Sequence, residues 1–157
     1  MEDIWRQAFL KGLQGKWSYP NPFEVLDGIE IETAGKRVEG MPHTIWQIAW
    51  HMSQWAWLIL KKFQGVEVKQ ETSWNNFFLE DPVPPSKDAW DKLIQEWKTF
   101  PKALDAILNN FEPETTFPEW DNIDAAHLLM VIITHTSYHT AQIVALRRLL
   151  GKWDKKS

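Results

Sequence analysis

The stretch HTIWQIAWHMSQWAWLILKKF, residues 43–63, decides the fold. Thr44-Ile45-Trp46-Gln47 fits a capping box, in which the Thr hydroxyl and the Gln amide each satisfy a backbone N–H of the first turn. Beyond it the segment is apolar nearly all round until Gly65, as a helix at the centre of a bundle should be. Among its polar residues, His51 stands apart. It shares a face with Ile48, Trp55 and Leu58, so the sequence sends an imidazole inward.

Helical periodicity recurs on both sides of this segment. Residues 3–14 place Ile4, Trp5, Ala8, Phe9 and Leu13 on one face, with Asp3 as a candidate cap and Gly15 as the stop. Asn21-Pro22-Phe23-Glu24 reads as the start of a short helix to about Lys36, although its IEIE stretch also suits a brief strand. Residues 65–85 form a long polar and aromatic connection, the kind that serves as a lid or binding loop. Ser86 caps a further helix over about 87–110, which Pro101 should kink or split. Asp121 is the expected cap of the last helix, which runs to Leu150 and ends at Gly151. Four long helices without a convincing sheet predict an all-α fold. The expected form is a four-helix bundle with an additional short helix after the first, in one domain over residues 1–157.

The last helix repeats the anomaly of His51. With His135 at zero on a helical wheel, His139 falls at about +40°, Gln142 at about −20°, and Leu128 and Leu146 at about +20°. Val131 lies at about −40°, Tyr138 at about −60° and His127 at about −80°. The polar group sits in the middle of the inward stripe. Two histidines at i and i+4 can present their rings to one ion, and neutral imidazole is a common ligand of divalent metals. His51 lies roughly 10 Å inside the start of its helix and His139 roughly 17 Å before the end of its own. Antiparallel neighbours would bring them to similar heights. A His51, His135 and His139 set would leave coordination positions open, as catalytic sites do. Gln142 is either a partner of a ligand ring or a cap for a nearby backbone group. Tyr138 is either a donor to a bound substrate or a packing residue. His43, at the helix entrance, and His127, at the stripe's edge, are not expected to be ligands.

Composition narrows the functions. The chain has 157 residues and no cysteine, which excludes disulfides, thiolate ligands and a cysteine nucleophile. Its 17 basic and 21 acidic side chains are interspersed, for a formal charge of −4. That disfavours non-specific nucleic-acid binding. No apolar run reaches the roughly 18 residues of a membrane span, and the N-terminus lacks a signal-peptide pattern, so a cytoplasmic location is expected. Eleven tryptophans are unusual for this length and suit core or pocket walls.

The segment HTSYHTAQIVALRRLLG resembles the closing motif of the DinB-like (YfiT/DinB) family, His-x-x-Tyr-His-x-Gly-Gln-Ile followed by Leu-Arg-Arg and a Gly. HTIWQIAWHMSQW resembles that family's second-helix motif. Ala141 departs from it, standing where the family often has Gly. The likeness covers nearly the whole chain. It implies a four-helix bundle, a homodimer, and a divalent metal held by three histidines, here His51, His135 and His139. Relatives include bacillithiol transferases, mycothiol-dependent isomerases and metal-dependent hydrolases.

The resulting expectation is a divalent-metal-dependent enzyme, a transferase of a small bacillithiol-like thiol. Zinc or nickel is the expected ion, with iron, manganese and cobalt as alternatives. The rivals are a metal-dependent hydrolase, for which Glu30 or Glu32 is a candidate base, and a non-catalytic stress-related binding protein. Trp74, Phe77 or Phe78 is expected near the mouth of the metal pocket.

Overall fold

The computed structural model describes residues 2–67, 78–110 and 112–153, with side chains from Ile4 onward. Its helices are α1 (Glu2–Leu13), α2 (Ile31–Ala34), α3 (Ile45–Phe63), α4 (Lys87–Leu108) and α5 (Ala125–Leu149). The four long ones form a helical bundle in which α3 packs on α4 and α5, and α1 packs on the same two. Leu13, Ile48, Met52, Ile59, Trp97, Phe100, Leu129 and Ile143 lie in its core.

Helix α3 starts as its capping box requires. The Thr44 hydroxyl accepts from the Gln47 N–H, and the Thr44 N–H donates to the Gln47 side chain at 3.0 Å. Both residues are buried, and both also hold the connection to α4. The Thr44 hydroxyl donates to the Pro82 carbonyl at 2.7 Å, and the Gln47 amide donates to the Leu79 carbonyl at 2.6 Å. Gly35 lets this strap lie close, because a Cβ there would come within 3.1 Å of Val83 Cα.

Several boundaries differ from expectation. α1 includes Asp3 in its helix, and the Asp3 side chain lies outside the described residues. Its apolar stripe is buried only toward the C-terminal end: Leu13 is in the core, whereas Ile4 and Trp5 are exposed. The segment after Asn21 is mostly turns, and α2 is a single turn that begins in the second half of IEIE and ends at Ala34, rather than a helix from Pro22 to Lys36. Tertiary bonds hold these turns. The buried indoles of Trp97 and Trp90 on α4 donate to the carbonyls of Pro22 and Ile29, at 2.9 and 3.0 Å. Arg147 donates to the Val25 carbonyl at 2.6 Å. Helix α4 runs unsplit through Pro101.

The last helix is capped by Asp124, not Asp121. Asp124 accepts from the His127 N–H at 2.8 Å and meets the His127 ring at 2.7 Å. Asp121 and Asn122 instead take left-handed backbone conformations, which short polar side chains tolerate best. They help turn the chain from a two-residue strand, β1 (Thr116–Phe117), through a 3₁₀ turn into β2 (Ile123–Asp124). Buried Lys62 on α3 anchors this hairpin by pairing with Glu119 and lying 5.4 Å from the Trp120 ring.

The two helix caps differ in what depends on them. Thr44→Ala removes the cap and the strap's hydrogen bond inside the core, whereas Ser86→Ala removes an exposed cap only. In urea unfolding, Thr44→Ala should cost about 2 kcal/mol and Ser86→Ala about 1 kcal/mol or less. Equal losses would show that the strap contributes nothing.

Candidate metal centre

Helices α3 and α5 run antiparallel where the histidines meet. His51 faces His139 with ring centroids 4.7 Å apart, and one turn further along α3 the Trp55 ring faces His135 at 5.6 Å. A step forward on one helix is a step back on the other. The His51 and His139 rings are buried and His135 is half-buried. His135 Nε2 lies 3.0 Å from His51 Nε2 and 3.1 Å from His139 Nε2.

Hydrogen bonds alone do not account for this convergence. His139 Nδ1 lies 2.7 Å from the Gln142 side-chain oxygen, a contact that requires Nδ1 to carry the proton. In the neutral ring, Nε2 then carries a lone pair. The single hydrogen that a neutral His135 could offer at Nε2 would have to serve two neighbours at once. Protonation is not the remedy. Burial pushes the His135 pKa down to about 3, with further lowering from His139 and His51. Burial likewise pushes His139 down to about 4, against an upward pull from Gln142. These rings are therefore neutral at pH 7.

A divalent ion at their centre would resolve the arrangement. At metal–nitrogen distances near ~2.05 Å, ligand atoms at angles between 90° and tetrahedral stand roughly 2.9–3.4 Å apart. The observed separations fall in that range, and all three ligand atoms lie within 4.8 Å of one another. Gln142 occupies the place of the hydrogen-bond acceptor that usually fixes the tautomer of a metal-ligating histidine. Among the described residues, no carboxylate joins this group.

The connection to α4 reaches the site through Phe78. Its ring stacks on His51 at 4.0 Å and 9°, and on His43 at 3.8 Å and 3°. Phe78 is thus sandwiched between two imidazoles, held beside the carbonyls that Gln47 and Thr44 anchor. Trp74 and Phe77 lie outside the described residues. The His43–Phe78 pair was not legible beforehand. Phe78 was among the aromatics expected near the pocket mouth, but no local pattern pairs it with His43.

Other expected participants are elsewhere. Tyr138 is 62% exposed, with only an edge contact to His139 at 5.1 Å, so it is not a buried packing residue. Ala141 is exposed, so its methyl does not set the approach of a neighbouring helix. Glu30 and Glu32 are exposed, and Glu30 pairs with Lys152 at 3.9 Å. His127 is exposed and bound to Asp124.

The chain's assignment rests on this fold and on its sequence as a whole. The family model of the DinB family matches residues 16–155. The chain belongs to the DinB family. No curated protein and no solved structure matches it. As a DinB-family protein it carries a three-histidine group able to hold a metal ion. No helix among the described residues is long and apolar enough to cross a membrane.

The depressed pKa values have a consequence for the metal-free protein. Unfolded histidines titrate near 6.5, whereas His135 and His139 do so near 3 and 4 in the fold. Below pH 6.5 the unfolded chain binds more protons, so stability falls as pH falls toward those lower values. Thermal unfolding of metal-free protein should show this loss between pH 6.5 and 4, and His135→Gln should flatten it. An unchanged slope in His135→Gln would contradict the burial of a neutral ring there.

Proposed function

We propose that His51, His135 and His139 bind one divalent metal ion, with zinc or nickel first among the candidates, and that the protein is a thiol S-transferase. The observation that carries this reading is the convergence of three Nε2 atoms, two of them on rings held neutral at pH 7. Three protein ligands leave positions for an exogenous group, whereas a structural site uses four.

The chain's own residues define what the reaction needs from outside. The sequence has no cysteine, so a thiol nucleophile must come from a cosubstrate. A bound divalent ion would supply the acidity that makes such a thiol a thiolate at neutral pH. Gln142 keeps the proton of His139 on Nδ1, which leaves Nε2 free to ligate. Phe78 covers one face of His51 and keeps water from it. In the transfer, a sulfur–carbon bond forms and the bond from carbon to the leaving group breaks. The thiol proton passes to solvent. The same ion would also acidify water, which keeps hydrolysis as the second reading; among the described residues no carboxylate stands with the histidines as an additional base.

The test uses zinc-loaded and nickel-loaded protein, bacillithiol, and a chlorodinitrobenzene electrophile, with chloride as the leaving group. Loaded protein should accelerate thioether formation, and metal-free protein should not. A free thiol ionises near ~8.5, so the enzymatic rate should depend less on pH around neutrality than the uncatalysed rate. No acceleration across a panel of thiols and electrophiles, with the metal verified in place, would reject the transferase reading in favour of hydrolysis or binding.

A further inference from the structure

A groove of about 410 Å³ lies between α3, α5 and the β1–β2 hairpin. Its walls include Trp55, Trp120, Ile123, Leu128 and Val131. It adjoins the histidines through Trp55, which lines it. Trp55 is one turn beyond His51 on α3 and stands 5.6 Å from the His135 ring. Val131 is one turn before His135 on α5, and Leu128 lies on the same stripe. The groove therefore lies one helical turn from the histidines on both α3 and α5.

The groove is large enough for a ring-sized organic group, and its lining is mostly apolar and aromatic. Of its two carboxylates, Glu119 is paired with buried Lys62, and exposed Asp121 stands in the hairpin turn, so the remaining walls are apolar. Lys62 also lies 5.4 Å from Trp120, which fixes the outer aromatic wall. Two indole faces can flank a planar group, and aromatic pairs add to the benefit of burial.

We propose that this groove binds the uncharged aromatic or apolar body of the substrate, with the reactive end directed toward His135. The inference rests on the three-histidine reading for that reactive end, but the groove itself is independent of it. Trp55 and Trp120 are the specificity walls, and Val131, exposed at the groove's side, controls its width.

The experiment titrates zinc-loaded protein with imidazole and with N-benzylimidazole, reading the indole N–H signals of Trp55 and Trp120 by NMR. Metal-free protein is titrated in parallel with benzyl alcohol. N-benzylimidazole should bind zinc-loaded protein about tenfold more tightly than imidazole, because its ring leaves water for the groove. Both indole signals should move. Val131→Arg should remove the tenfold gain and leave imidazole affinity unchanged, and Trp120→Ala should reduce the gain from the other wall. Benzyl alcohol should move the same two signals without metal and fail to do so in Val131→Arg. Equal affinities for the two imidazoles, or indole shifts that persist in Val131→Arg, would overturn the proposal. If the protein takes up no zinc, the metal reading falls, and the benzyl alcohol shifts alone decide the groove.

Discussion

Three imidazoles in one core are tolerated only if they stay neutral and share a partner. Burying a polar ring without a hydrogen bond is costly, and burying a charge costs more. The crossing of α3 and α5 meets this constraint by pointing Nε2 atoms at a common centre. The neighbouring residues then follow. Gln142 sets the tautomer of His139, Trp55 backs His135, and Phe78 covers His51. The antiparallel register is set by the helices' apolar faces, and the site inherits it.

The site is tied to the surrounding chain through one turn of helix. Thr44 and Gln47 close the N-terminus of α3 and, with the same side chains, hold the carbonyls of Pro82 and Leu79. A single buried cap therefore positions the helix that carries His51 and the strap that carries Phe78. At the opposite end of α3, Lys62 clamps Glu119 and Trp120. The hairpin so held forms the far wall of the groove. Both ends of this central helix thus shape what can approach the histidines.

Much of this was legible in the sequence, and particular residues show why. The apolar run after Thr44 and the i, i+4 pair at His135 and His139 are local patterns, and local patterns survive folding. Helical phase alone placed His51, His135 and His139 inward, and the structure brings them together. What depended on long-range bonds was missed. The turns after Asn21 hold through Trp90, Trp97 and Arg147, which are distant in sequence. Asp121 and Asp124 look alike as caps, and only the hairpin decides between them. Helical phase also overestimated the burial of Val131, because it assigns a direction without knowing how closely the neighbouring elements pack there. That residue lines a groove instead.

If His51, His135 and His139 share one ion, a calorimetric zinc titration of tag-free protein reads it most directly. The wild-type chain should bind one equivalent. The double variant His135→Ala/His139→Ala should bind none while its helical circular dichroism persists. One full equivalent of zinc in that double variant would contradict the assignment of the site.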